Sequence, residues 1–368
     1  MMASSRVYRS VYASLKTMAV SAIFLLILGV EPIWGDSLSR EIALGKTVAR
    51  QVEARWSLVQ NPTVVARVRM IFERLLPMVS RPLPYDVRVI RESVPNAFCI
   101  PGGTVYVTTG LLDFVRSDAE LAAILAHELT HADENHVMIQ AKRSQRLSLA
   151  SLAIIIATKG QGAAGLLAGI AQIAVTNGYS MELEREADLG GLEKLQRAGY
   201  PPAAALTVME GLAYEGIKRP SVDPGIFRDH PRTAERVEYI RRAILDRGWS
   251  LSRKKALHLL VPSVQSASGD IRLCVDDEVV WAVSSDRSSQ VFQHAYEALV
   301  QWLELELSPH DIQVVTPLGG ATTLLIGGHP VASEPVPSGA WSLNVFRERL
   351  LLVLSRAKER NPMVDYFF

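Results

Sequence analysis

Cysteine is nearly absent from this chain: 368 residues hold only two, Cys99 and Cys274. A disulfide framework is therefore excluded. Because the two fall in segments read as different domains, two buried thiols are expected rather than one bridge. An excess of either charge is missing as well. Lys and Arg number 39 against 38 Asp and Glu, so no global field argues for nucleic acid or an acidic surface as partner. No G-x-S-x-G occurs, and neither Cys has a plausible His partner in sequence, so serine and cysteine nucleophile chemistry has no support. Long apolar runs are lacking too. Met18–Val30 is shorter than the roughly 20 residues a spanning helix needs, and the apolar stretch 147–176 is divided by Lys159-Gly160-Gln161-Gly162 into two pieces that are each too short.

What is present is ordinary globular composition. Hydrophobic residues make up 48% and charged ones 21%, enough for one sizeable core and room for two domains. Arg6, Arg9 and Lys16 precede the first apolar run, and Gly35 closes it. That order describes a secretory signal peptide over residues 1–35, with an uncleaved N-terminal anchor as the alternative. No Cys follows the run, which argues against a lipoprotein anchor. Export would place the protein in the periplasm; retention of the segment would leave it anchored to the inner membrane, facing the periplasm.

From Asp36 to about Leu76 the apolar residues recur at helical spacing, and Pro77, Pro82 and Pro84 end the pattern. Val87, Val89 and the run Gly103–Thr109 alternate like strands. Ser117 with Glu120 reads as a capping box opening a helix with an apolar stripe at Leu121, Ile124, Leu125 and Leu129. The 147–176 stretch is expected to be a buried helical hairpin, or else a mobile lid or lipid-touching element. A helix runs from about Ser180 to Arg197 and stops at Gly199, and another starts at Pro201-Pro202. Residues 247–270 read as a polar linker. Beyond it, strand-like runs at Ile271–Cys274 and Glu278–Val283, a helix near Ser289–Glu306, short strands between Ile312 and Ile326 and a helix from about Trp341 to Arg360 describe a second unit. The expected fold class is α+β: a mainly helical domain with a small sheet over 36–250, and a smaller α+β domain of unknown role over 251–368. No repeat occurs at the periods that mark helical solenoids.

The chemistry lies in His127-Glu128-Leu129-Thr130-His131, an H-E-x-x-H on a predicted helix. Residues four apart share a helical face, so both imidazoles can reach one metal ion. Glu128, one position round, can take a proton from an attacking water. Two imidazoles leave zinc under-coordinated, so a third ligand is expected elsewhere. Glu184 and Asp188 are also four apart on a predicted helix. One could ligate while the other orients a ligating imidazole through its second ring nitrogen. Spacing alone allows the pair Glu182 and Glu186 equally.

Four spaced motifs now appear in order: Asn96-Ala97-Phe98-Cys99-Ile100-Pro101-Gly102-Gly103, the His127–His131 motif, Tyr179-Ser180 with Glu184-x-x-Ala187-Asp188, and His230-Pro231 followed by Arg236. Together they resemble the M48 family of zinc metallopeptidases, of the HtpX and BepA type, and especially its soluble periplasmic members, over about residues 38–245. The resemblance implies a zincin-like fold and a gluzincin-like zinc endopeptidase with one Zn2+ per chain, held by His127, His131 and Glu184. Asp188 then orients a ligating imidazole. It implies too that His230 can approach the metal and hold the enzyme latent, and that Arg236 stabilises charge developing on the substrate carbonyl. Relatives usually carry Arg after Tyr-Ser, where this chain has Met181. His136 fits the family pattern but lies about 140° round a continuous helix from His131, so a structural hydrogen bond is expected of it. A second His-Pro pair, His329-Pro330, has Pro335 where the Arg would stand and reads as a loop.

The implied mechanism has Glu128 accept the proton of the attacking water and deliver it to the leaving amine. The predicted strand Thr104–Thr109, preceded by Gly102-Gly103, is read as the edge along which a substrate backbone pairs, with Gly102, Gly103, Thr104 and Val105 at the contact; the plainer reading makes the glycines a turn. Such pairing suits unfolded or misfolded envelope proteins, hence periplasmic protein quality control. A competing reading is a chaperone-like assembly factor for outer-membrane proteins on the same scaffold, partnered with the assembly machinery, with peripheral membrane contact through 147–176. The lack of several long spans excludes an intramembrane protease.

Overall fold

The computed structural model describes residues 37–143, 179–218, 233–267, 270–283, 289–305 and 307–361. The segments 1–36 and 144–178 lie outside them, and with them the signal-peptide and apolar-hairpin expectations. Among the described residues, no helix is long and apolar enough to cross a membrane.

The first helical stretch is two helices. Helix α1 is Ser37–Arg55 and α2 is Pro62–Leu75. Between them Asn61 caps α2, its side chain accepting from the backbone of Thr63 and Val64, and Pro62 occupies the first helical turn, where its missing N–H costs nothing. Residues 57–59 run along strand β1 (Asp86–Ile90): Val59 N–H donates to Val89 O at 2.8 Å and Arg91 N–H to Ser57 O at 2.9 Å.

Strands β2 (Ala97–Cys99) and β3 (Thr104–Thr108) complete a three-stranded sheet of order β1-β3-β2, parallel between β1 and β3 and antiparallel between β2 and β3. The period of two divides its faces. Val87, Val89, Val105 and Val107 join a core with α2 and α4 (Asp118–Asp133), while Phe98 and Tyr106 stack at 5.3 Å on the other face in a core with α1. The sheet is therefore the middle layer between helices. Helix α4 follows a short helix α3 (Thr109–Phe114) and is buried along almost its whole length, which is why its apolar residues go all the way round. Ser117 caps it, accepting from Glu120 N–H at 3.1 Å. The Glu120 carboxylate, however, accepts from Arg116 and its backbone N–H rather than closing the expected box.

After Glu134, Asn135 adopts φ 59°, a left-handed conformation that Asn tolerates, and α5 (His136–Arg143) starts in a new direction. Helices α6 (Met181–Arg197) and α7 (Ala203–Lys218) pack beside α4, and α8 (Thr233–Asp246) packs on α6 and α7, with Leu192, Leu206, Ile240 and Ile244 between these three.

The segment 247–270 is more ordered than a linker. It holds helix α9 (Arg253–Leu257) and strand β4 (Pro262–Ala267), both hidden in the sequence by short length and polar composition. Arg253 bonds Glu210 of α7 with Nε–Oε2 at 2.9 Å, Ala256 O accepts from Ser117 at 2.5 Å, and Lys254 Nζ donates to Leu303 O at 2.9 Å. One five-residue helix is thus bonded to both halves of the chain.

The C-terminal residues form their own core. Strands β4, β5 (Asp270–Val275) and β6 (Glu278–Val283) make one antiparallel meander followed by α10 (Ser289–Trp302). Strands β7 (Ile312–Val315), β8 (Thr323–Ile326) and β9 (His329–Ser333) make a second, followed by α11 (Leu343–Arg360). Trp281 lies between Phe292 and Phe346, stacked at 4.3 and 5.0 Å, and so joins the two units. His329-Pro330, expected as a loop, instead opens β9 after the Gly327-Gly328 turn, and His329 stacks on Trp302 at 3.6 Å. Cys99 and Cys274 are both free and buried.

Candidate metal centre

Helices α4 and α6 cross where α6 has no side chains. A Cβ built on Gly191 would lie 3.2 Å from the His127 backbone nitrogen, and one on Gly190 would lie 2.6 Å from Thr130 Cγ2. This close approach carries residues one and two turns earlier on α6 onto the His face of α4. His127 Nε2 and His131 Nε2 are 3.0 Å apart; Glu184 places Oε2 3.7 Å from the first and Oε1 3.6 Å from the second. All three residues are buried, and among the described residues they are the one group whose donor atoms converge for a metal ion. Tetrahedral zinc with bonds of about 2.05 Å wants donor atoms ~3.3 Å apart. The separations of 3.0 Å between the imidazoles and 3.6 and 3.7 Å to the two oxygens of Glu184 lie on either side of that value, so the residues fit the ion.

The alternative register is decided by the same packing. Glu182 reaches outward to Arg143 at 2.9 Å, and Glu186 is half exposed. Neither meets the imidazoles as Glu184 does.

The second ring nitrogens settle the tautomers. His127 Nδ1 lies 3.0 Å from Asp188 Oδ1, so Nδ1–H donates there and leaves the Nε2 lone pair for a metal. His131 Nδ1 lies 2.9 Å from His136 Nδ1. For His131 Nε2 to be a donor to metal, its Nδ1–H must donate to His136, whose own proton then sits on Nε2, 3.4 Å from Glu186 Oε2. The Tyr179 ring stacks on His131 at 4.0 Å and holds the plane of the imidazole. His136 has the structural hydrogen bond expected of it, but not the expected direction. The break at Asn135 removes the 140° offset a continuous helix would impose.

Two expectations are corrected here. Strand β3 is central in its sheet, hydrogen-bonded by β1 on one side and β2 on the other, so Thr104 and Val105 have no edge to offer a substrate backbone. Gly102 and Gly103 are buried at φ 83° and 88°, the turn that joins β2 to β3, a conformation glycine adopts without strain. Gly102 N–H donates to Glu41 of α1 at 3.3 Å, which pins that turn from behind. The outermost strand on the Glu128 side is β2, and the Cys99 N–H points at the Glu128 carboxylate.

Arg236 is also placed differently. It is buried in α8, bidentate to Asp188 (Nε–Oδ2 2.9 Å, Nη2–Oδ1 2.7 Å) with Nη1 3.3 Å from Glu184 Oε2. All three nitrogens face carboxylates, so the guanidinium positions the acid pair instead of presenting itself to a carbonyl. Tyr239, one turn further along α8, donates its hydroxyl to Asp188 as well. Sequence reading missed Tyr239; its only signal is the i, i+3 spacing from Arg236. His230 lies outside the described residues.

The electrostatics follow from this nesting. Burial works against ionising Asp188, yet Arg236 and the His127 hydrogen bond hold its carboxyl well below the usual range. Burial alone would lower His127, but Asp188, Glu184 and Glu128 raise it overall. Burial pushes Glu128 up to about 8 against the opposing charges of His127 and Arg236.

A comparison with known families matches residues 62–244 to the model described as Peptidase family M48. Residues 62–244 are a peptidase family M48 domain. The chain is 30% identical over 216 residues to a beta-barrel assembly-enhancing protease of Yersinia pestis, covering 56% of this chain and 44% of that protein. A mitochondrial metalloendopeptidase OMA1 of Arabidopsis thaliana is 34% identical over 134 residues, covering 36% of this chain and 27% of the relative. The metalloprotease LoiP of Escherichia coli is 30% identical over 164 residues, covering 43% and 62%. The chain thus spans under half the length of the assembly-enhancing protease it matches.

Proposed function

We propose that the chain is a zinc-dependent endopeptidase whose metal ligands are His127, His131 and Glu184 and whose general base is Glu128. The observation carrying this reading is the convergence of two imidazoles and one buried carboxylate on a point beside a second buried carboxylate. A bound zinc ion supplies Lewis acidity for a scissile carbonyl.

The chain's own residues do the rest. Glu128 takes the proton of the attacking water and returns it to the leaving amine. Asp188 fixes the His127 tautomer, and Arg236 with Tyr239 fixes Asp188. The resemblance-based role for His230, a ligand that holds the enzyme latent, belongs to this reading. His230→Ala is expected to raise cleavage, and unchanged or lower turnover removes that role.

The likeness to a beta-barrel assembly-enhancing protease supports a finer proposal: turnover of unfolded or misfolded envelope proteins in the periplasm, in contact with outer-membrane assembly. The division into a peptidase domain over 36–250 and a C-terminal domain over 251–368 is part of it, the latter binding substrate or partner. The core separating β4–β9, α10 and α11 from the rest supports that boundary. The test is hydrolysis of casein by the zinc-loaded chain, with and without chelator. Activity that survives complete metal removal would end the proposal.

A further inference from the structure

The sheet β4-β5-β6 has two edges, and only one is covered. On β6, Trp341 N–H donates to Ala282 O at 3.0 Å and Ala340 bridges Val283. Strand β4 pairs with β5 on one side and, among the described residues, with no strand on the other. Val261 O accepts from Asp276 N–H at 3.0 Å, so Val261, Ser263 and Gln265 are the residues bonded toward β5. Alternation along the ladder turns the N–H and C=O of Val264 and Ser266 to the open edge. Such edges are usually blunted by charge, a bulge or proline. Strand β4 reads Pro262-Ser263-Val264-Gln265-Ser266-Ala267, without a charge and with proline only at its first position.

The open edge lies beside α10. Opposed residues of an antiparallel pair share a face, so Val264, opposite the buried Leu273, belongs to the core side of the sheet, yet it is 40% exposed. On α10, Phe292, Ala295 and Leu299 fill the core, and the neighbouring stripe holds Tyr296 and Val300, the latter 45% exposed. Where α10 ends beside α9, a cavity of about 310 Å³ opens between Val261 and Pro262 on one side and Tyr296, Val300 and Leu303 on the other. That volume suits a large apolar side chain. Lys255 and His258 stand at the same end. The one carboxylate there, Glu304, already accepts from Ser252 and lies 3.8 Å from Lys255, so cations outnumber acids.

An unpaired strand edge, an apolar cavity and a cationic end together describe one ligand. We propose that β4 and α10 capture the extended C-terminal end of a polypeptide. It adds to β4 as an antiparallel fourth strand, its last side chain fills the cavity, and its carboxylate meets Lys255 and His258. The antiparallel sense follows from the cations, which stand at the Pro262 end of β4, where such a strand finishes. Main-chain pairing asks little of the sequence beyond that last apolar residue. The inference deepens the reading of the C-terminal unit as a binding domain and rests on that part of it, not on the peptidase chemistry.

The experiment reads binding rather than turnover. The full chain carrying Glu128→Gln, so that peptides stay intact, is titrated with fluorescent uncharged hexapeptides ending in Leu or Phe, each as free acid and as amide, and anisotropy is followed. The acid is expected to bind about 10-fold tighter than the amide or better. Adding Lys255→Ala with His258→Ala should bring the acid down to the amide. N-methylation of successive peptide amides should weaken binding at every second position only, because alternate amides face β4. Val264→Pro removes an N–H that β5 does not use and should weaken the acid several-fold. Equal affinity for acid and amide, or N-methyl effects without a period of two, overturns the proposal, and neither reading depends on a variant of the groove that might not fold. An acid preference that survives the Lys255 and His258 substitutions, or a Val264→Pro chain that melts and binds like its parent, overturns it as well. Casein hydrolysis by the zinc-loaded wild type, measured in parallel, judges the endopeptidase reading by itself.

Discussion

Glu128 is a fully buried carboxylate whose pKa burial raises against the charges of His127, the proposed metal ligand, and Arg236. Glu128→Gln keeps the shape and removes the base, so zinc should still bind at one ion per chain while casein hydrolysis falls by about 10²–10⁴-fold; metal analysis and a cleavage assay on the same sample check both halves. The substitution also has a signature without metal. Folded Glu128 holds its proton up to about pH 8, whereas an unfolded Glu releases it near 4.3. The folded state therefore binds more protons than the unfolded one between those values, and stability falls as pH rises through the window. Metal-free Glu128→Gln should lack this loss and gain on wild type by on the order of 4 kcal/mol at pH 8, with little gain at pH 4, in urea melts. His127 is shifted in the same direction. Its raised pKa means a metal must displace a proton, so zinc affinity should weaken as pH falls from 8 to 6, readable by competition with a chelating dye. His136→Leu leaves the His131 Nδ1–H without its acceptor and should weaken zinc by about 10- to 100-fold, while His136→Asn, which retains an acceptor, should lose less.

Helices α4 and α6 carry the site because Gly190 and Gly191 let their backbones meet. Gly191→Ala puts a methyl 3.2 Å from the His127 nitrogen, tighter than ordinary contact. The helices must separate by a few tenths of an ångström, which draws Glu184 from the imidazoles. Zinc affinity should fall several-fold, with a smaller effect on thermal stability; an unchanged affinity would show that the glycines do not set the ligand distance. This spacing is what the sequence could not supply. The i, i+4 pairs were legible because a single helix needs only local geometry. Choosing Glu184 over Glu182 or Glu186 required knowing which face of α6 meets α4. The same holds for β3: its alternation marked it as a strand, but nothing local says whether a strand is central or at an edge. Strand β2, three residues long, and β4, with Pro and two Ser, were too short or too polar to stand out. His136 needed the left-handed Asn135, a helix end without glycine or proline to announce it.

Across the whole chain, the M48 domain and the C-terminal unit have separate cores, bonded through α9. A metal that ties α4 to α6 stabilises only the folded form that holds it, by about 2.7 kcal/mol at a hundredfold excess over Kd. In hydrogen exchange, zinc should therefore slow the amides of α4 and α6 while leaving β4–β9 nearly unchanged. Equal slowing in both halves would show them to unfold as one unit. Taken alone, the sequence determined the helical character of the first half, the paired imidazoles and the carboxylate beside them, since each is written in close neighbours along the chain. The tertiary structure decided which acid faces the two imidazoles, that Arg236 pairs with Asp188, and that Gly102-Gly103 is a turn. Those outcomes turn on contacts between residues far apart in the chain, made by close helix approach and strand order, which no local pattern encodes.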